Sequence, residues 1–313
     1  MSKKVITVTM NPSADKTILL NKLVPYGLNR AKSTRLDPGG KGINVGRVLQ
    51  SFGVDVTVTG MIAGRQGDAL LEQLDACGID SDFVKVEGET RTNLKIIDES
   101  VNQITEINEP GFCASQESVT AFLEKLETLS AQAEIVVLSG SLPPGISVDF
   151  YAQCTRIAKK QGAKVLLDAE GAILFEGIQA VPYAVKPNRQ ELGTLFHEEL
   201  SSNRQVADAA KKLIDRGIEI VIASMGPDGA IFVNKNEIYK ADSWNIPVKS
   251  TVGAGDAMVG ALAYSILRQD PLHEIARLAT AAGTITVSKV GTQFCSFEEV
   301  LASAGKVNVR SLI

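Results

Sequence analysis

The arrangement of apolar residues along the chain constrains its fold more than any other feature. Short segments rich in β-branched residues alternate with longer amphipathic segments. The short segments predict buried strands at 5–10, 54–60, 134–138, 164–167, 183–185 and 219–223. The longer segments predict helices at 43–52, 69–77, 116–129, 148–160 and 205–216. This alternation indicates an α/β protein with a mostly parallel central sheet and helices on both of its faces.

Two regions depart from the alternation. Residues 17–35 and 83–107 are rich in β-forming residues and have no helix between their strands. Each therefore predicts a strand pair inserted into a single domain spanning 1–313, with the inserted strands at about 12–38 and 83–111. Together they would form a small second sheet. The free face of such a sheet must be covered, either by substrate or by a second subunit.

Composition argues against several classes of protein. The 313 residues are 44% hydrophobic and 22% charged, and the net charge of −4 does not favour a nucleic-acid surface. No apolar run approaches the roughly 20 residues that cross a bilayer, and the N-terminus lacks the features of a signal peptide. We expect a soluble, cytoplasmic protein. The two histidines have no metal-ligand spacing, which argues against zinc or Ser-His-Asp chemistry.

A glycine-rich segment at 250–256, Ser-Thr-Val-Gly-Ala-Gly-Asp, precedes a late helix. Small residues at a helix start let backbone N–H groups approach an anion, and the helix dipole favours negative charge there. Asp256 would lie in the first turn, kept ionised by the dipole and able to accept a hydroxyl proton. The alternative is a plain turn in which Asp256 only caps the helix. Met258 stands where a dinucleotide fingerprint has its third glycine, and no P-loop motif is present.

A second glycine-rich segment surrounds Lys41 near the start of the chain. Gly39, Gly40 and Lys41 precede a helix, leaving room for a ligand beside a cation, and Asn44 in the first turn can offer its amide to a hydroxyl. A structural turn is the alternative. Asp15 follows the first strand, where a carboxylate can bind two sugar hydroxyls or form a simple Asx turn.

Two arginines lie in the inserted regions. Arg30 and Arg91 can each bind a phosphate in bidentate fashion, although an isolated surface arginine is more often solvated.

Two further segments follow predicted strands. Asn188 and Glu191 are three residues apart at a helix start, so both can reach hydrated Mg²⁺, or they form a helix cap. The segment 224–229, Ser-Met-Gly-Pro-Asp-Gly, is typical of a nucleotide-binding turn or an ordinary hairpin.

Taken in order, these motifs resemble the ribokinase family in its phosphofructokinase B branch. The segments 39–44 and 252–256 resemble the two signatures of that family, and the likeness extends from Asn11 to Gly291. It implies a three-layer ribokinase-like fold in which the small sheet is a lid, with a homodimer formed through the lid. Glu170 stands where the family pattern Asp-x-Ser-Gly has its serine.

The resemblance also implies a role for each motif. The sugar would be held by Asp15, Gly39, Gly40, Lys41 and Asn44, with Ser139 or Ser141 closing the floor, and its phosphate by Arg30 and Arg91. Asp256 would be the catalytic base, assisted by the amides of Gly253, Ala254 and Gly255. ATP would contact Lys186, Asn188, Ser224, Gly226, Gly229, Thr251 and Gly255, with Mg²⁺ positioned by Asn188 and Glu191.

The implied reaction is transfer of the ATP γ-phosphoryl group to a primary hydroxyl of a ketohexose phosphate. Fructose 1-phosphate is the first candidate acceptor and tagatose 6-phosphate the alternative. A non-catalytic sugar-phosphate sensor and a nicotinamide oxidoreductase are rivals from other classes. The absent dinucleotide fingerprint disfavours the second of these.

Overall fold

The computed structural model describes residues 4–101 and 103–312. In these residues the strands are β1 (Lys4–Thr9), β2 (Ser13–Leu20), β3 (Ser33–Gly39), β4 (Val56–Ala63), β5 (Asp80–Val86), β6 (Arg91–Asp98), β7 (Gln103–Ile107), β8 (Ala133–Ser139), β9 (Lys164–Asp168), β10 (Ala184–Val185), β11 (Ile220–Ser224), β12 (Ala230–Val233), β13 (Ile238–Asp242) and β14 (Asn308–Ser311). The helices are α1 (Lys41–Ser51), α2 (Gly64–Ala76), α3 (Gln116–Ser130), α4 (Phe150–Lys160), α5 (Gly171–Gly177), α6 (Arg189–Phe196), α7 (Asn203–Ile214), α8 (Ala254–Arg268), α9 (Leu272–Thr286) and α10 (Phe297–Ala304).

The large sheet has the order β14-β13-β12-β11-β10-β9-β8-β1-β4-β5. Its pairs from β5 through β11 are parallel, and β12, β13 and β14 extend it with antiparallel pairs. Alternate residues of β1 enter opposite cores, because Ile6 and Val8 belong to the core that includes residues of α3, α4 and α7, whereas Val5 belongs to the core that includes residues of α1, α8 and α9. The sheet is thus covered on both faces, and the predicted three-layer fold is confirmed.

Every predicted strand and helix has a counterpart in the structure, with ends displaced by a few residues. One assignment was wrong. Residues 83–86 were predicted to belong to the small sheet, but they lie in β5, which pairs in parallel with β4 at the edge of the large sheet. In the described residues 4–101 and 103–312, no helix is both long and apolar enough to cross a membrane.

The small sheet has the order β3-β2-β6-β7. Strands β2 and β6 are parallel, whereas β3 and β7 are antiparallel to their neighbours. In this register Asp37, Asp15 and Asn93 lie side by side across three strands, and all three side chains are buried. The inner face of the small sheet is therefore polar, and it faces the carboxyl ends of the strands in the large sheet.

Candidate active site

The carboxyl ends of the parallel strands bring most of the predicted residues together, as expected for an open α/β sheet. Ser139 ends β8, Asp168 ends β9, and Lys186 directly follows β10. Lys41 and Asn44 come from the first turn of α1, whose N-cap residue is Gly40.

Asp256 lies in the first turn of α8 and has only 6% of its surface exposed. The N-cap residue is Gly253, which has a φ of 78° and no side chain that could accept the first N–H groups of the helix. A Cβ atom at Gly253 would lie 2.5 Å from the ring of Phe294, so glycine alone fits this position. The first N–H groups of α8, beginning with Ala254, are available to an anionic ligand beside the carboxylate.

The carboxyl group of Asp256 has a pKa raised to about 6. Burial is the main cause and the nearby Asp168 carboxylate adds to it, while Lys41, Asn44 and Lys186 oppose the shift. Asn44 acts through its Nδ2, which donates a hydrogen bond to Asp256 Oδ2 at 2.8 Å. Burial opposes the helix dipole, which favours the charged form, and a carboxyl with this pKa is still mostly ionised at pH 7. A carboxylate with this pKa is a better proton acceptor than an exposed one.

Asp168 connects the two predicted lysines of the site. Its Oδ1 lies 3.1 Å from Lys186 Nζ, and both side chains are buried. Burial alone would raise the pKa of Asp168, but Lys186 and then Lys41 hold it below its usual value. Lys186 also lies against the start of α8, because a Cβ atom at Gly255 would be 3.2 Å from its Nζ. The cation is thus placed beside the N-terminus of the helix.

Lys41 is the second cation of this cluster. Its Nζ lies 3.0 Å from Glu170 Oε1. The carboxylate of Asp168 is the main cause of its raised pKa, with Glu170 and Asp256 adding to the effect against the opposing influence of burial. Lys41 therefore remains charged between three carboxylates.

A cavity of about 680 Å³ lies between the 224–229 turn and helices α8 and α9. The predicted nucleotide residues Ser224, Gly226, Gly229, Thr251 and Gly255 all line it. The other lining residues are mostly small or apolar: Pro227, Ser243, Trp244, Asn245, Ile246, Val248, Ala254, Met258, Thr280, Gly283, Thr284 and Val287. Its size and its apolar walls are typical of a small-molecule site. The turn also joins the antiparallel strands β11 and β12, so the hairpin interpretation is compatible with the nucleotide one.

Asn188 and Glu191 form a capping box at the start of α6. Asn188 Oδ1 accepts the Glu191 N–H at 2.8 Å, and Glu191 Oε2 accepts the Asn188 N–H at 2.7 Å. The helix-cap alternative is therefore present, and both residues also line a second cavity of about 640 Å³ with Glu170. Among the residues that the structure describes, no group of three or more His, Cys, Asp or Glu side chains could hold a metal ion. That Asn188 and Glu191 position Mg²⁺ stays a prediction.

The predicted sugar side of the site is built around Asp15 in β2. Its Oδ1 accepts a hydrogen bond from the Ser13 hydroxyl at 2.7 Å, and its Oδ2 lies 2.6 Å from Lys95 Nζ. Gly39 approaches this carboxylate so closely that a Cβ atom there would lie 2.5 Å from Oδ1. The simple Asx turn is therefore not what holds Asp15, because its partners come from two strands.

Arg91 begins β6 and ties the small sheet to the rest of the site. Its Nη1 donates to the Glu109 carbonyl at 3.1 Å, and its Nη2 donates to the Asn11 carbonyl at 3.1 Å and to Ser141 Oγ at 3.4 Å. Its Nε is buried and has no partner among the described residues. Burial lowers the pKa of Arg91.

Ser139 and Arg30 were also predicted to bind the substrate, and the structure leaves both roles untested. Ser139 directs its hydroxyl toward Asp168, with Oγ 3.4 Å from Oδ2, and its predicted contact with the sugar is untested. Arg30 lies exposed in the connection between β2 and β3, and no hydrogen bond or ion pair joins its side chain to the described residues. Its predicted role in binding phosphate is also untested.

Sequence reasoning missed Asp168, Asn93 and Lys95. A signal was present for each of them. Asp168 is a carboxylate directly after the predicted strand 164–167. Asn93 and Lys95 alternate with Arg91, so these three residues lie on one face of β6.

Comparison with known proteins identifies the family. The profile of the pfkB family carbohydrate kinases matches residues 8–299. The 1-phosphofructokinase of Xanthomonas campestris pv. campestris is 43% identical over 289 residues, which are 90% of each chain. The 1-phosphofructokinase of Rhodobacter capsulatus is 36% identical over 313 residues, covering 100% of this chain and 99% of the relative. The crystal structure of phosphofructokinase-2 from Escherichia coli in complex with fructose-6-phosphate superposes with a TM-score of 0.91 at 28% identity, covering 98% and 99% of the two chains.

The chain belongs to the pfkB family of carbohydrate kinases. It is accordingly a phosphotransferase whose acceptor is a sugar hydroxyl. The family resemblance inferred from the two glycine-rich segments is confirmed.

Proposed function

We propose that this protein transfers the γ-phosphoryl group of ATP to a free primary hydroxyl of a ketohexose phosphate. Fructose 1-phosphate is the preferred acceptor, and the products are fructose 1,6-bisphosphate and ADP. The observation that carries the proposal is the position of Asp256. Its buried carboxylate, with a pKa of about 6, lies at the uncapped start of α8, and this same turn lines the proposed nucleotide cavity. The relatives named 1-phosphofructokinase support the choice of acceptor.

Each charged group of the site has a role in this reaction. Asp256 accepts the proton of the attacking hydroxyl as the bond from its oxygen to the γ-phosphorus forms and the bond to ADP breaks. The first N–H groups of α8, together with Lys41 and Lys186, offset the charge on the transferring group. Asp168 positions Lys186 through the 3.1 Å ion pair. A loose transition state makes this placement of charge more important than the basicity of Asp256.

Mg²⁺ would enter bound to the phosphates of ATP, because this ion keeps several waters and needs only one or two protein carboxylates. When bound it would neutralise phosphate charge. We expect Asn188 and Glu191 to hold such an ion through its water shell, and their capping box already fixes both side chains at the start of α6.

Steady-state kinetics test the acceptor. With ATP and Mg²⁺ present, we expect kcat/KM to be at least about tenfold higher for fructose 1-phosphate than for tagatose 6-phosphate, since one misfitting group at the sugar costs about 1–3 kcal/mol. The reverse ratio would make this chain a tagatose-6-phosphate kinase with the same mechanism. Trp244 is the only tryptophan and lines the proposed nucleotide cavity, so its fluorescence reports ATP binding separately. Binding of both ligands without turnover would instead indicate a sensor.

The outer face of the small sheet supports a homodimer. Ile18 pairs with Ile96, and Leu36 and Leu94 flank Lys16 in the same register, so a row of apolar side chains lies on the face opposite Asp15. Leu36 and several neighbouring residues of this sheet and its connections are exposed: Val24, Tyr26, Leu28, Val101 and Ile107. An apolar sheet face of this kind is typical of a protein interface, and a second copy of the chain would cover it.

The dimer is tested by placing a charge on this face. We expect the wild-type protein to sediment as a dimer and Leu36→Glu to sediment as a monomer, because a carboxylate would be buried without a partner in the interface. Leu301→Glu, at an exposed leucine of α10, is the matched control and should remain dimeric. A monomeric wild-type protein would contradict the proposal.

A further inference from the structure

A buried ion pair crosses the small sheet beneath the proposed sugar site. Lys95 Nζ lies 2.6 Å from Asp15 Oδ2, and the two side chains are only 9% and 7% exposed. In the register of β2 and β6 the residue opposite Asp15 is Asn93, so Lys95 reaches the carboxylate diagonally from two residues further along the same face. A buried pair of this kind gives little net stability compared with apolar side chains of similar size, so stability alone does not account for it.

Three hydrogen-bond donors already face the Asp15 carboxylate, whereas among the described residues the buried donor without a partner on the same face of β6 is Arg91 Nε, four residues before Lys95. Ser13 Oγ donates to Oδ1 at 2.7 Å, Asn93 Nδ2 is 3.4 Å from the same oxygen, and the ammonium of Lys95 faces Oδ2. The buried oxygens nearby are not used. Within the described part of the chain, four side-chain oxygens on this side of the site accept no hydrogen bond: Asn11 Oδ1, Asp37 Oδ2, Asn44 Oδ1 and Asn93 Oδ1.

This imbalance defines the group that the site accepts. Buried oxygens that lack partners require donors, and each costs about 1–3 kcal/mol when it is left without one. A hydroxyl supplies a donor, whereas a phosphate dianion supplies none and would be repelled by Asp15. The part of the ligand beside Asp15 is therefore a hydroxylated carbon chain and not its phosphate.

We infer that Lys95 is a positioning residue for sugar recognition. It fixes the orientation of the Asp15 carboxylate, so that this carboxylate and the side-chain amide oxygen of Asn93 accept hydroxyls of the sugar phosphate. Lys95 itself does not contact the substrate. The inference rests on the proposed function, because it takes the ligand of this face to be the sugar phosphate.

A double-mutant cycle tests the inference, with fructose 1-phosphate binding measured by calorimetry and turnover measured separately. Lys95→Met is expected to weaken fructose 1-phosphate binding by about tenfold or more and to raise its KM similarly, with the KM for ATP changed less than about twofold. Lys95→Arg should recover part of the loss, since it keeps the charge. In the Asp15→Asn background the additional loss caused by Lys95→Met should nearly vanish, because Lys95 acts through Asp15.

The experiment has a matched control, and several results would contradict the inference. Lys85→Met breaks an exposed Lys–Asp pair of similar length, 2.7 Å to Asp68, and should leave both KM values unchanged. Equal losses from Lys95→Met in the wild-type and Asp15→Asn backgrounds, or equal changes in both KM values, would overturn the positioning role. The double variant buries no unpaired charge, so it serves as the test if Lys95→Met alone fails to fold. It must then bind fructose 1-phosphate no worse than Asp15→Asn does. If the wild-type protein binds fructose 1-phosphate without turnover, the proposed function is refuted. The double-mutant cycle can still be measured by calorimetry, because it depends only on binding.

Discussion

Replacing Asp256 with asparagine is expected to lower kcat by roughly two to four orders of magnitude, the usual contribution of a positioned general base. The binding of ATP and of sugar phosphate should change little, because asparagine has the same shape and its amide oxygen can still accept from Asn44. In the wild-type protein kcat/KM should fall about tenfold per pH unit below about pH 6, where Asp256 becomes protonated. The measurements are steady-state kinetics and a pH profile for each protein.

The same substitution should stabilise the fold at neutral pH. The pKa of Asp256 is raised in the folded protein, so folding is favoured when the carboxyl is protonated, and this contribution is lost as the pH rises through about 6. Asp256→Asn should therefore gain at most about 3 kcal/mol of stability above pH 7. The gain should disappear in the acid range below the ordinary carboxyl pKa. Denaturant unfolding at several pH values measures it.

Asp208→Asn, at an exposed position on α7, is the matched control and should alter neither kcat nor stability. Near-normal turnover of Asp256→Asn would remove Asp256 as the base. A loss of stability at pH 8 would show that the ionised form is favoured by the fold.

Arg91→Ala is expected to raise the KM for the sugar phosphate by roughly 10- to 100-fold, with the KM for ATP changed less than about twofold. The estimate follows from the loss of charge-assisted hydrogen bonds worth about 1.5–3 kcal/mol, in a guanidinium whose Nε is buried without a partner in the described residues. Steady-state kinetics with each substrate varied in turn provide the measurement.

Arg91 also holds the Asn11 and Glu109 carbonyls, so its structural role must be separated from binding. Arg91→Lys keeps the charge but loses the planar fork, and its effect on the sugar-phosphate KM should be intermediate. Arg268→Ala, at an exposed arginine at the end of α8, should leave both constants unchanged. Equal increases in both KM values for Arg91→Ala would show that Arg91 is a structural tie and not a phosphate ligand.

Most of the fold was predictable because it depends on local patterns. The central strands are continuous apolar runs, and the helices beside them are amphipathic. Helix α9 was not predicted: most of its residues are buried, and its titratable residues His273, Glu274 and Arg277 mark only its first two turns. Strand β5 was misassigned because its partner is β4, a pairing that no local pattern specifies.

The residues of the site were likewise predictable only where a local sequence pattern marks them. Asp256, Lys41 and Lys186 stand in segments whose glycines or strand ends mark them as functional, and the structure brings all three to Asp168. The helix dipole at Asp256 could be predicted because it is a local property, whereas the burial that raises the pKa of this carboxyl is produced by the whole fold.

By itself, the sequence determined the layered α/β fold, the family and the glycine-rich start of α8, because each depends on residues close together in the chain. Only the tertiary structure decided which residues meet. Asn44 and Asp256 are 212 positions apart, and Asp15 and Lys95 are 80 apart. The hydrogen bond and the ion pair between them exist because strand order and register place α1 beside α8 and β2 beside β6.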